Sequence, residues 1–297
     1  MAQKDMAEKL LEDYNEVFAD IVNVLLFEGE RVVEPGSLLP AVAGSQYKAD
    51  DGKLHEQERD IAKFWTEEGV CISLLGVENQ SRPDPGMALR VIGYDGQSYR
   101  SQLLKQPDGT YLKKHYPVIT MVLYFGLDES WNCGMELYDV LEFRDERLKK
   151  YVSNYKINVF DIPSLPEETV NRFQSDFRYV ADFFMQIKKN GDYVPAEGTI
   201  EHVDEVLKLL SVMTGDSDFE NLRAEAGERK VTDMCTVIEE MKKKEFNLGH
   251  LQGYSEGESS LGLLILKLSE EGRYDEVRRA ASDEQFRREC YKKYGIK

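Results

Sequence analysis

Hydrophobic positions recur at helical spacing near the start of the chain, where Leu10, Tyr14, Val17, Phe18, Ile21, Val22 and Leu25 share one side of a 3.6-residue helix. This predicts a helix over the first 27 residues with one buried face. Gly and Pro in "FEGE" and "VEPGSLLPAVAGS" then turn the chain, and a short strand or helix end follows near Asp60. The segments "DIAKFW" and "VCISLLGVENQ" are separated by "TEEG", a spacing that predicts a β-hairpin. After "RPDPG", residues Met87 to Leu104 read as a helix that buries Leu89, Ile92, Tyr99 and Leu103 and carries Arg90, Tyr94 and Gln97 on the opposite side. The stretch "HYPVITMVLYFG" is almost continuously apolar, with Pro117 at its start where a missing N–H is tolerated. It predicts a central strand covered on both faces. "KINVFDIP" reads as one more short strand.

Helix, strands, helix, strand, strand predicts an α/β domain over residues 1–165. Beyond "PSLPEE" the texture becomes charged and helical, with helices expected over about 167–189, 200–213, 229–244 and 260–294. "GHLQGYSEGESSLG" has Gly at short intervals and reads as a joint, dividing a helical region (166–254) from a C-terminal helical tail (255–297).

Composition narrows the function. With 41% hydrophobic residues in 297, the chain is able to bury a substantial core. No apolar run approaches the roughly 18 residues of a membrane span, and the first 20 residues alternate charge where a signal peptide would be apolar, so a cytoplasmic protein is expected. Cys71, Cys133, Cys235 and Cys290 are far apart and only four His are present, which argues against a disulfide framework or a zinc module. A net charge of −17 opposes broad backbone-driven nucleic-acid binding. The acidity is uneven: residues 50–120 carry 9 basic and 11 acidic side chains, so an anionic substrate is best tolerated there. The chain has no "GK[ST]" phosphate loop and therefore no expected nucleotide cofactor, and no "GxSxG" elbow. The basic run "EEMKKKEF" reads as a solvated helix face.

One constellation carries chemistry. Side chains alternate along a strand, so Glu78 and Gln80 project to the same face about 7 Å apart, while Asn79 points to the other. The hairpin brings Asp60 back toward them. Two carboxylates with open coordination positions suit Mg²⁺, which activates water and neutralises charge on a phosphodiester. Acids at hairpin ends also simply sit in water, and spacing alone leaves both readings open.

The segments "FADIVNVLLF", "ERDIAKFW", "LLGVENQSRPDPGMALRVIGYDGQSYRSQL" and "YPVITMVLYFG" together resemble the recombination-promoting nuclease (Rpn) and YhgA-like transposase family, a branch of the PD-(D/E)xK nuclease superfamily. The similarity runs in order over about residues 14–126, and "EGRYDEVRRAAS" with the final "YGI" is similar to tails in that family. The resemblance implies a restriction-endonuclease-like mixed sheet flanked by helices. It further implies a DNA endonuclease that uses Mg²⁺, with Mn²⁺ able to substitute, and serves recombination, transposition or phage defence. Asp60 and Glu78 would ligate the metal, with the Asn79 carbonyl as a third oxygen. Gln80 would stand in the catalytic position where the superfamily usually has Lys. Gln orients water by hydrogen bonds but supplies no charge. Arg90, beside Tyr94 and Gln97, is a candidate for that charge, with a solvated surface Arg as the alternative. The stripe of Glu16, Asp20 and Asn23 on the first helix offers another acid, Asp20 before Glu16. A homodimer is expected, since cutting two strands usually calls for two sites.

Two other readings remain open at this stage. A catalytically weak or inactive nuclease fold serving as an interaction protein is favoured by Gln80 and by the acidic balance. An RNA-directed nuclease would use the same chemistry.

Overall fold

A computed structural model describes residues 10–41, 44–48, 54–58, 60–104, 109–226, 233–238 and 260–296. The chain divides into two compact units, Met1–Thr236 and Val237–Lys297.

In the first unit a 3₁₀ turn, Leu11–Asp13, leads into helix α1 (Asn15–Leu26). The expected N-terminal helix therefore starts later than its periodicity suggests. Its inner face is as read from the sequence, with Val17, Phe18, Ile21 and Val22 fully buried. Strand β1 (Leu38–Pro40) follows, and then a separate antiparallel pair, β2 (Gly44–Lys48) with β3 (Leu54–Glu58), in a stretch where the sequence signals only turns. The hairpin read from the sequence forms β4 (Ile61–Glu67) and β5 (Val70–Gln80). Its two-residue turn holds Glu68 at φ 48° and Gly69 at φ 78°, the left-handed pair that matches the twist of a tight hairpin. Helix α2 (Met87–Ser101), β6 (Val118–Tyr124), the short helix α3 (Leu137–Val140) and β7 (Asn158–Asp161) complete the sheet region.

The sheet order is β1-β4-β5-β6-β7; β1, β4 and β5 are antiparallel neighbours, while β5, β6 and β7 run parallel. This is an α/β fold with a mixed five-stranded sheet and helices on both faces. Residues paired across strands share a face, so Glu78 and Val122 point one way. Met87, Ala88 and Val91 of α2 pack on that side, in a cluster with Val122 and Ile157. On the other face lies α1, with the Lys63 ammonium of β4 over the Phe18 ring, 5.4 Å from its centroid.

The buried stripe of α2 differs from the sequence reading. Leu89, Tyr99 and Leu103 are exposed, while Met87, Ala88, Val91, Tyr94 and Asp95 face inward. Small and β-branched residues let the helix approach the sheet, and its buried polar groups have partners. Asp95 accepts a hydrogen bond from Thr120 Oγ1 at 2.6 Å and another from the Tyr155 hydroxyl.

Helices α4 (Glu167–Val170), α5 (Phe177–Asn190), α6 (Val203–Thr214) and α7 (Ser217–Ala226) belong to the same unit. The single helix expected over 167–189 is interrupted. Asp20 of α1 accepts hydrogen bonds from Gln174 N (2.8 Å), Ser175 N (2.8 Å) and Ser175 Oγ (2.7 Å), and these fix the chain in a bend before α5 begins. A carboxylate at a helix N-terminus also complements the helix dipole. Asp176 does the same for the next connection, accepting from Glu201 N and His202 N. Beneath them Phe125, Phe173, Phe177 and Phe184 interlock, each fully buried.

The second unit is helical over 260–270, Tyr274–Ser282 and Glu284–Tyr294, around a core of Leu264, Leu268, Ala280 and Cys290. Of the helix expected at 229–244, residues 234–238 are helical, Asp233 is a bend before them and the remainder lies outside the described residues, as do "EEMKKKEF" and most of the Gly-spaced joint. Among the described residues no helix is long and apolar enough to cross a membrane.

Asp20→Asn weakens three charge-assisted hydrogen bonds at once, and we expect it to lower the unfolding free energy by about 1–3 kcal/mol, read from the denaturant midpoint.

Candidate active site

The β4–β5 register decides what meets at the end of the hairpin. Ile61 pairs with Val77, which aligns the preceding residue, Asp60, with Glu78. The alignment is fastened by the backbone: Asn79 N–H donates to Asp60 Oδ2 at 2.7 Å. Pro83 and Pro85 follow the strand and carry no N–H, so β5 ends here and the chain turns into α2.

On the α2 face Glu78 is almost fully buried. Its Oε1 accepts from Gln80 Nε2 at 3.1 Å, from the Tyr94 hydroxyl at 3.4 Å and from Arg90 Nη2. Arg90 reaches further, with Nη1 on Asp84 Oδ2 at 3.0 Å. Its Nε and Nη2 donate to the Tyr94 hydroxyl at 3.3 and 3.1 Å. The structure thus brings Asp60, Glu78, Gln80, Arg90 and Tyr94 together. Gln97, one turn beyond Tyr94, is exposed and makes no hydrogen bond to the cluster among the described residues.

Asn79 faces the other side, as strand alternation requires, and its Nδ2 donates to Glu12 Oε1 at 3.0 Å. Glu12 is fully buried in the 3₁₀ turn ahead of α1. Beside Glu12, Asp60 and Asn79 lies a small cavity of about 120 Å³, closed by Lys208, Leu209, Val212 and Met213 of α6. The acids of the first helix are elsewhere. Asp20 braces the start of α5, Glu16 Oε1 pairs with His202 Nε2 at 3.0 Å, and Asn23 holds the backbone of Val32 and Val33. Asp20 and Glu16 line a different cleft of about 610 Å³ with Arg172 and His202.

Glu12 is the member that periodicity missed. Extending the helix back through residue 10 gives it no special position. The available signal was local: in "LLEDY" a carboxylate directly follows two leucines, and Leu11 is buried. Lys63 was likewise not singled out. It is a buried ammonium that donates to Asp13 O (2.6 Å) and Asn15 Oδ1 (2.7 Å), fixing the turn that carries Glu12.

The electrostatics follow from this crowding. Burial pushes Glu78 up to about 7, and the neighbouring Asp60 charge adds to the shift against the pull of Arg90 and Tyr94. Burial also raises Glu12 to about 7, with its own backbone N–H and the Asn79 amide opposing. Asp60 is raised by burial, with the Asn79 N–H and Arg90 pulling down. Strongly perturbed acids gathered in one place are a recurrent property of functional sites.

Glu78 Oε2 and Glu12 Oε2 are buried with no hydrogen-bond partner. A hard divalent cation suits such oxygens, and Mg²⁺ takes only one or two protein carboxylates, so the pair Asp60 and Glu78 fits it. Glu12 approaches from the opposite face of the sheet. Among the described residues no group of three or more His, Cys, Asp or Glu side chains is arranged around one ion.

The fold is a mixed α/β sheet with perturbed acids at one strand end. Residues 63–214, just over half the chain, match the family described as putative transposase, YhgA-like, and the chain belongs to that family. No curated protein and no solved structure matches it. Membership gives a transposase- or nuclease-like role. The matched stretch contains Glu78, Asn79, Gln80, Arg90 and Tyr94, whereas Glu12 and Asp60 precede it.

An acid whose folded pKa lies above its unfolded value stabilises the fold at low pH, and that contribution is lost as pH rises through the folded value. For Glu12, raised from 4.5 to about 7, the loss falls between those two values. Glu12→Gln is expected to raise the thermal midpoint of the metal-free protein at pH 8 and to change it little at pH 4. The difference should approach about 3 kcal/mol, read by melting across the pH range.

Proposed function

We propose that the chain is a Mg²⁺-dependent DNA endonuclease. The observation that carries the reading is the alignment of Asp60 beside Glu78 at one sheet end, where the Asn79 N–H holds Asp60 and a buried Glu78 oxygen is left unpartnered. Asp60 and Glu78 would hold the cation, with the Asn79 carbonyl as a third oxygen. When bound, Mg²⁺ supplies a Lewis acid that lowers the pKa of water and neutralises charge developing on phosphorus.

The chain's own residues do the rest. Burial keeps Glu78 short of solvent, so that carboxylate gains most from a cation, while Asp60 stands at the exposed end of the hairpin. Gln80, hydrogen-bonded to Glu78, has an amide that orients a water for in-line attack. The positive charge that Gln80 lacks would come from Arg90, whose side chain is 38% exposed and within reach of a phosphate. Glu12 is linked through Asn79 to the Asp60 side of the cluster, and where it ionises, above about pH 7, its charge would strengthen cation binding. Family membership supports a setting in transposition or recombination, and phage defence is compatible with the same chemistry.

A second reading has its own observation. The ion pair of Arg90 with Glu78 and the net charge of −17 suit an inactive nuclease fold used for binding a partner.

Purified protein with Mg²⁺ or Mn²⁺ is expected to nick supercoiled plasmid DNA. Asp60→Asn and Glu78→Gln should each slow the cutting about 10²–10³-fold while the circular dichroism spectrum stays unchanged. Asp20→Asn, assayed well below its melting temperature, should cut normally. No cleavage with either ion, or equal cleavage by the Asp60 and Glu78 variants, would leave the binding-protein reading in place. A labelled RNA of the same sequence tests the choice of nucleic acid.

A further inference from the structure

We propose that Arg90 is a latch on Glu78: it supplies the counter-charge to that carboxylate in the metal-free protein, competes with a divalent cation for it, and is retained at the site by Asp84 when the cation takes its place. The proposal rests on the reading of Glu78 as a metal ligand.

The geometry is a fork. One terminal nitrogen of Arg90 is on Glu78 Oε1 and the other is on Asp84 Oδ2 at 3.0 Å. The two acids differ in their setting. Glu78 is 3% exposed at its side chain and lies on the rigid interior strand, whereas Asp84 is 30% exposed in the turn before α2. Asp84 is itself held: its Oδ1 accepts from Gly86 N at 2.7 Å, its carbonyl accepts from Met87 N at 3.1 Å, and Pro residues flank it on both sides. The Tyr94 hydroxyl receives Arg90 Nε and Nη2 and donates to Glu78 Oε1. Among the described residues the guanidinium is held by Glu78, Asp84 and Tyr94, and of these only Glu78 is the acid that a cation would need.

A planar guanidinium keeps its charge at all working pH, so a cation gains Glu78 only by displacing the Arg90 contact or by bearing its repulsion. Either way Arg90 weakens cation binding. Asp84 and Tyr94 then keep the released charge beside Glu78, where a substrate phosphate would arrive. One side chain would lower metal affinity and raise turnover. A residue that merely supports the fold would change both in the same direction.

The test is Mn²⁺ binding to the full chain by titration calorimetry at pH 8, with plasmid nicking assayed in parallel. Arg90→Gln is expected to bind Mn²⁺ about tenfold more tightly, the equivalent of one charge-assisted hydrogen bond, and to cut more slowly. Asp84→Asn, which shifts the fork toward Glu78, is expected to bind Mn²⁺ several-fold more weakly; the double variant should resemble Arg90→Gln. Mn²⁺ binding by Arg90→Gln where the native protein binds none also supports the latch. Unchanged or weaker binding by a folded Arg90→Gln overturns it, as does unchanged binding by Asp84→Asn. If binding is lost in Glu78→Gln yet unaltered in Arg90→Gln, the latch fails and the metal site stands. If neither the native protein nor Arg90→Gln binds Mn²⁺, both fail.

Discussion

The register of one antiparallel hairpin governs the chemistry of this protein. With Ile61 opposite Val77, Asp60 is opposite Glu78, and the Asn79 N–H closes the alignment by donating to Asp60. A slip of one residue would turn the side chains of a whole strand to the other face. Burial prevents that slip. Leu74, Leu75 and Val77 of β5 are all enclosed, β6 flanks the strand on its other edge, and the left-handed turn at Glu68 and Gly69 fixes where the hairpin reverses. The same apolar packing that holds the register keeps water from Glu78 and raises its pKa.

Around this hairpin the protein spends buried charge in two ways. Some of it is structural and fully answered. Lys63 is bonded to Asp13 and Asn15, Asp95 to Thr120 and Tyr155, and Asp20 and Asp176 to backbone N–H groups at the bends leading into α5 and α6. The rest is only partly answered: Glu12 and Glu78 each keep one oxygen without a partner. Unsatisfied buried oxygens are costly, and two carboxylates, on opposite faces of one strand end, each carry one here; Asp161 at the end of β7 carries another. Arg90 moderates the cost on the α2 face, while the cavity under α6 lies on the other.

The helices beyond β7 are part of how the site is built. α6 contributes a wall of the cavity beside Glu12 and Asp60, and the Tyr14 hydroxyl donates to Glu205 at 2.8 Å while its ring stacks on His202 at 3.5 Å. Such contacts tie the turn carrying Glu12 to a helix nearly two hundred residues away in sequence. The family match, which runs from Lys63 to Thr214, takes in most of β4, the strands β5 to β7 and the helices α2 to α6, while β1 precedes it.

Much of this was legible from residue order. Alternation in "VCISLLGVENQ" set Glu78 and Gln80 on one face and Asn79 on the other. The tight "TEEG" connection returned Asp60 to them, and the apolar run 118–124 became the interior strand β6. These features depend on local periodicity and turn length, which act between near neighbours. Three things were decided by tertiary packing. The inward side of α2 was set by Ala88, Val91, Tyr94 and Asp95, because close approach to the sheet and partners for polar groups outweighed the number of large apolar residues on the other side. The break ahead of α5 came from a carboxylate on α1, 155 residues away in sequence from Ser175. Glu12, not Asp20, came to lie beside Asn79, because a buried lysine on β4 holds the turn before α1 in a conformation that helical spacing does not describe. Contacts of that range leave no periodic trace in the sequence.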